Sequence, residues 1–144
     1  MSYEVRVIKA ADFDDELLEF MFTSLKEVIE LHDRKINPAN CRILKFAEHQ
    51  RLTICFKNGR PVGYMMSALT RSIFDENVKI LKQISLYTRP KTRAANLLMK
   101  DFIDFGRANA DHVISMIGVK TNIKPQTLER LGFKHLETLY IMEV

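Results

Sequence analysis

The residues with the clearest chemical meaning lie in the run Arg89-Pro90-Lys91-Thr92-Arg93-Ala94-Ala95-Asn96. Three cations fall within five residues, and Pro90 ends the extended segment before it. Thr92 is placed to cap a helix, its hydroxyl oxygen accepting from the Ala95 N–H. Ala94 and Ala95 follow with almost no side chain. A helix N-terminus presents backbone N–H groups without intrahelical partners and the positive end of the helix dipole, so small residues and cations there make an anion site. The polyanion that suits such a site in a small domain is the diphosphate of a nucleotide or coenzyme. Alone the signal is weak, because every strand-to-helix junction has free N–H groups and commonly a basic residue.

Other reactive side chains are scattered. Glu30, His32 and Asp33 cluster where a first helix should end, but a histidine in a last helical turn meets the negative end of the dipole without any catalytic role. Glu76 sits in the turn Arg71 to Asn77, and Tyr87 and Tyr140 fall in strand-like runs. Cys41 and Cys55 belong to no CxxC or Cys/His array, so no metal is expected and a reduced, cytoplasmic setting follows.

The elements that must position these residues are legible from periodicity. Val78 to Thr88 reads as a strand, and from Ala94 the spacing Ala94, Leu98, Phe102, Phe105 reads as a helix running to Ala110. Before them, Glu4 to Lys9 alternates, Ala10-Ala11-Asp12 looks like a helix cap, and Phe13 to about Lys35 is helical, with a plausible break at Thr23-Ser24 and a stop at 37–40. Residues 41–49 are indistinct. Leu52 to Lys57, Asn58-Gly59 and Pro61 to Thr70 form a hairpin, with Gly63 a bulge or a close backbone approach. His112 to Val119 suits a buried strand, Asn122 to Leu131 a short helix closed by Gly132, and Phe133 to Val144 a last strand.

With 144 residues, 47% of them hydrophobic, the chain suits one well-filled core and a single domain spanning 1–144. Residues 1–50 hold seven Lys/Arg against ten Asp/Glu, and residues 51–144 hold fifteen against eight, so an acidic first third precedes a basic remainder. The basic part lacks the Arg/Lys stripe with interleaved aromatics that would argue for nucleic acid. No segment is long and apolar enough for a membrane span, and the opening residues carry no apolar signal core, so a soluble, unexported protein is expected.

The order β-α(α)-β-β-β-α-β-α-β, with the anion loop between the fourth strand and its helix, resembles the GNAT superfamily of acyl-CoA N-acyltransferases over essentially the whole chain. The most specific match is Asn122 followed by a short helix and Leu131-Gly132-Phe133; the second is Leu86-Tyr87-Thr88-Arg89-Pro90 leading into Arg93. The family loop reads Gln/Arg-x-x-Gly-x-Gly/Ala. Laid on Arg93 to Leu98 it finds neither glycine, whereas a shorter loop, as in compact variants associated with phage genomes, puts Ala94 and Ala95 at the small positions. The position that often holds an acid-acting tyrosine is Leu128 here.

The resemblance implies an α/β (α+β) GNAT fold: a mixed, mostly antiparallel sheet of six to seven strands flanked by about four helices. It implies acetyl-CoA as co-substrate, held by Ile84, Leu86, Tyr87, Thr88, Thr92, Arg93, Ala94, Ala95, Asn96 and Asn122, with a splayed strand edge around Ile84 to Tyr87. Acetyl transfer to a primary amine of a small molecule or protein follows by direct attack, with Glu76 and Tyr140 as catalytic candidates and room for a homodimer. The acidic first helix suggests a cationic acceptor. The competing expectation is a GNAT-like shell that binds or assembles without catalysis.

Overall fold

The computed structural model describes residues 2–31, 42–116, 123–137, 140 and 142. Five strands form one sheet in chain order: β1 (Tyr3–Val7), β2 (Arg51–Lys57), β3 (Arg60–Arg71), β4 (Lys79–Thr88) and β5 (His112–Ile114). β1 to β4 pair antiparallel and β5 joins β4 in parallel. The β2–β3 hairpin closes on Asn58 and Gly59, whose φ values of 52° and 80° are the left-handed pair that a two-residue turn with native strand twist requires. The parallel pair needs a crossover, supplied by α3 (Ala94–Asn109).

Two cores lie on opposite faces. One packs α1 (Asp15–Leu31) and α2 (Ile43–His49) on the sheet through Phe20, Met21, Ile43, Ile54 and Tyr64. The other packs α3 and α4 (Pro125–Arg130) through Met65, Leu81, Leu98, Phe102 and Leu128. β2 and β3, covered on both sides, are the near-continuous apolar runs that double coverage demands.

Several expectations need correction. α1 is capped by Asp14, whose Oδ1 accepts from the Leu17 N–H at 2.8 Å; Asp12 accepts from Lys9 N–H and closes a short 3-10 turn over Ala10–Asp12. α1 runs unbroken through Thr23-Ser24, because the buried Ser24 hydroxyl donates to the Phe20 carbonyl at 2.6 Å. Residues 43–49, unreadable as a pattern, form α2 with only Ile43 and Ala47 buried. The sheet has five strands among the described residues, not six to seven. β5 is three residues long, and 133–137 are irregular, with Leu136 79% exposed. Alternation says which face a strand would show, but a strand forms only where a neighbouring strand takes its ladder bonds, and among the described residues no strand pairs with 133–137. The expected strand ends at 117–119 and at 138, 139, 141, 143 and 144, like His32, Asp33 and the 37–40 stop, lie outside the described residues.

The Leu131-Gly132-Phe133 signature has a direct physical basis. Phe133 N–H donates to Leu128 O and Gly132 N–H to Glu129 O, both at 3.0 Å, with Gly132 at φ 98°. This is the double bond pattern of a left-handed helix C-cap, and it folds Phe133 back onto the core that holds Leu128.

Candidate functional site

The site begins with one extra residue in β4. β3 pairs Met66 with Ser85 but Ser67 with Gln83, which leaves Ile84 as a bulge, 46% exposed. The bulge changes which groups face outward. Arg89 N–H donates to Val62 O at 2.8 Å, so by ladder alternation Tyr87 and Ser85 also bond towards β3, and Leu86 and Thr88 turn their N–H and C=O to the opposite edge. On that edge β5 is already gone, since its last pair is Lys82 with Ile114. Among the described residues β4 and β5 therefore fork, and no strand pairs with the main chain around Leu86 and Thr88 on that edge.

Gln83 stands at the crotch of the fork. Its buried carboxamide donates from Nε2 to Met116 O at 3.1 Å and accepts from Ser115 Oγ at 2.6 Å, replacing the missing ladder bonds with side-chain ones.

Downstream of the fork, Lys91 takes φ 60°, unusual for a residue with a Cβ, and turns the chain so that α3 starts at Ala94. Arg93, not Thr92, is the N-cap residue. The Thr92 hydroxyl donates to Arg89 O at 2.8 Å and accepts from Ala94 N–H at 3.4 Å, so it braces the loop and leaves the Ala95 and Asn96 amides free of it. Residues 94–98 are all helical, so Ala94 and Ala95 open α3 rather than lying in the loop before it. Ala94 is fully buried because β3 offers Gly63 beneath it: a Cβ at Gly63 would lie 2.9 Å from Tyr87 O and 3.0 Å from Ala94 Cβ. Gly63 is thus a close backbone approach.

The loop cations spread rather than converge. Arg89 lies 5.5 Å over the Phe20 ring and Arg93 6.0 Å over Tyr3, whose hydroxyl accepts from Arg93 N–H at 3.4 Å. Neither covers the start of α3. From Ala95 and Asn96 a groove of about 310 Å³ runs between α3 and α4, lined by Met99, Ile103, Leu128 and Leu131 with Lys100 and Arg107 among its polar residues; β4 takes no part in its walls.

On the α1 face of the fork lies an aromatic cluster. Tyr87 stacks on Tyr64 at 6.0 Å and meets Phe20 edge-on at 6.1 Å, while Tyr64 and Ser85 share a hydroxyl–hydroxyl hydrogen bond of 2.8 Å. Burial first, and the neighbouring Glu27 carboxylate of α1 second, push the Tyr87 pKa up to about 12.

Ile84, Leu86, Tyr87 and Thr88 therefore sit along the fork, and Thr92, Arg93, Ala94, Ala95 and Asn96 at the turn and helix start. Glu76 does not join them. It lies in the β3–β4 turn, its carbonyl accepting from Arg71 Nη1 at 2.7 Å, at the far end of ten-residue β4, roughly 30 Å from the loop at about 3.3 Å per residue. Tyr140 is 92% exposed, and Asn122 lies outside the described residues. Glu27, Ser85 and Gln83 were missed as site residues. Their one sequence signal was Glu27 lying a turn before Glu30 on an acidic helix.

No protein-family model matches the sequence, and no curated protein matches it. Solved structures do. A ribosomal-protein-alanine N-acetyltransferase from Brucella melitensis biovar Abortus superposes with TM-score 0.75 at 8% identity, covering 100% of both chains. A Trypanosoma brucei acetyltransferase gives 0.72 at 16% identity, over 99% of this chain and 100% of that one. An aminoglycoside N-acetyltransferase in complex with CoA gives 0.64 at 14% identity, over 98% of both. The fold is that of the GNAT acyltransferases. Among the described residues no cluster suits a metal ion, and no helix is long and apolar enough to cross a membrane.

Proposed function

We propose that this protein is an N-acetyltransferase that moves an acetyl group from acetyl-CoA to a primary amine by direct attack. The observation that carries the reading is main chain with no backbone partner among the described residues, at the outward edge of β4 at Leu86 and Thr88 and at the α3 amides of Ala95 and Asn96. Its first part suits the amide-bearing pantetheine arm, which pairs as a strand would, and its second suits a diphosphate. The CoA-bound neighbour of the same fold supports the choice of coenzyme.

In this reading Leu86 N–H points at the thioester oxygen and stabilises the charge that develops there as the amine nitrogen attacks the carbonyl carbon. The C–S bond then breaks, the thiolate takes a proton, and one proton of the starting ammonium leaves to solvent. The chain's own contribution is mainly to hold two reactants in line. Glu76 and Tyr140 have no part in it.

The test is stabilisation by coenzyme. Acetyl-CoA at a hundredfold over its dissociation constant is expected to add about 2.7 kcal/mol to folding stability. Ala95→Glu, placing charge and bulk at the phosphate position, is expected to abolish the shift, and Glu76→Ala to leave it intact. A melting temperature unmoved by saturating acetyl-CoA would sink the reading in favour of a non-catalytic shell.

A further inference from the structure

We propose that Gln83 sets the upper length of the acyl group this protein accepts: its carboxamide closes the floor of the fork between β4 and β5, and a long acyl chain runs into it. The inference rests on the acetyl-transfer reading above and adds to it the residue that selects the acyl donor.

The linear order of the coenzyme fixes which end of the fork the acyl group meets. With the diphosphate at the Ala95 and Asn96 amides, the pantetheine arm passes Thr88 before Leu86. The sulfur and the acyl carbons then lie further on, towards the end where the two strands rejoin. That end is set by the last ladder pair, Lys82 with Ile114. Gln83 is the next residue on β4, and Ser115 and Met116 are the next two on the other arm. The Gln83 side chain crosses the gap between them, accepting from Ser115 Oγ at 2.6 Å and donating from Nε2 to Met116 O at 3.1 Å.

Three properties make this bridge a stop rather than a filler that gives way. Gln83 is 6% exposed, so its side chain has little free space to move into. Its backbone is held opposite Ser67 in the β3–β4 ladder, next to the bulge at Ile84. Both ends of the carboxamide are bonded, so swinging it aside would open two hydrogen bonds at a buried position. The bridge is polar as well, and an alkyl chain pressed on it would desolvate an amide without offering it a partner. Gln83 lies three residues from Leu86, at most about 10 Å along an extended strand. A thioester carbonyl set at Leu86 N–H takes the first part of that distance. An acetyl group ends short of the bridge, whereas an octanoyl chain reaches it.

The experiment measures dissociation constants of acetyl-, butyryl- and octanoyl-CoA by isothermal titration calorimetry, with no acceptor present. In the unsubstituted protein octanoyl-CoA should bind at least about tenfold more weakly than acetyl-CoA, with butyryl-CoA between them. Gln83→Ala lowers the floor and should close most of that gap. Gln83→Met, of similar length but without either hydrogen bond, should keep most of the discrimination. The ratio separates this role from a purely structural one, since a merely loosened fork weakens all three thioesters together. Should Gln83→Ala fail to fold, Gln83→Asn, one methylene shorter, should narrow the ratio part of the way. Equal affinities for acetyl- and octanoyl-CoA in the unsubstituted protein, or an unchanged ratio in the shortened variants, would overturn the role of Gln83 while leaving coenzyme binding intact. Failure of the unsubstituted protein to bind any of the three thioesters would instead overturn the acetyl-transfer reading itself.

Discussion

Tyr87 follows Leu86 on β4, stacked on Tyr64, and its phenol gives a direct spectroscopic handle on this stretch of the strand. A buried phenol resists becoming a phenolate, and a neighbouring carboxylate raises the cost further, which together hold it at about 12 against an ordinary value near 10. Ultraviolet titration of the protein minus that of Tyr87→Phe should therefore show a tyrosine ionising near 12. In Glu27→Gln that transition should move down, because the negative neighbour is gone, yet stay above 10 because burial remains. A transition at 10 in the unsubstituted protein would show that the pair does not form. The linkage sign follows: the folded-state value is raised, so the stability contributed by Tyr87 is full below pH 10 and is lost as pH rises through 10 to about 12. Through neutral pH the phenol keeps its proton.

At the scale of elements, the fork and the start of α3 depend on two side-chain decisions. Gly63 sets how closely α3 approaches β3. Gly63→Ala drives a Cβ to 2.9 Å from Tyr87 O and 3.0 Å from Ala94 Cβ, and neither of those can swing aside. The expected loss is about 1 to 3 kcal/mol in denaturant unfolding, the usual range for overpacking, with a reduced acetyl-CoA shift because the α3 amides move. Gln83→Ala removes the middle of the Ser115–Gln83–Met116 bridge and leaves Ser115 Oγ and Met116 O without that partner; a similar loss of about 1 to 3 kcal/mol is expected for polar groups left open in this way. If both variants unfold and bind like the parent, the fork is set by something else. These devices also mark the limit of sequence reading. The Asn58-Gly59 hairpin, α3 and the Leu131-Gly132-Phe133 cap were legible because their causes are local: left-handed turn residues, a 3.6-residue period, a glycine after a helix. The fork around Ile84 was legible only through the family resemblance, since one extra strand residue leaves no compositional trace. Glu27 lies sixty positions from Tyr87, and no periodicity encodes that the two are neighbours. α2 was missed because two buried residues make no stripe, and Glu76 drew interest from being a carboxylate near β4 without any sign of which end it occupied.

For the whole molecule, the charges divided along the sequence do not divide cleanly in space: α1 carries its acids against one face of the sheet, and of the loop cations Arg89 leans on Phe20 of that same helix while Arg93 leans on Tyr3 of β1. A coenzyme carrying phosphates would then be held by two forces of different character. Backbone N–H groups at Ala95 and Asn96 act at contact distance and are little screened, whereas the exposed loop cations act through solvent, where the screening length falls from about 8 Å at physiological salt to about 3 Å at 1 M. Acetyl-CoA affinity measured by calorimetry should thus weaken only moderately between 0.05 and 0.5 M salt, by roughly tenfold or less, and level off rather than vanish. Lys91→Gly, which removes a cation and suits φ 60°, should flatten that dependence while preserving binding and leaving stability unchanged or raised. Binding to DNA, if the net charge of +4 produces any, has no such contact component and should disappear over the same salt range. Parallel loss of both ligands would mean that the coenzyme is attracted by bulk charge alone and that the main-chain track from Leu86 to Asn96 is not its seat.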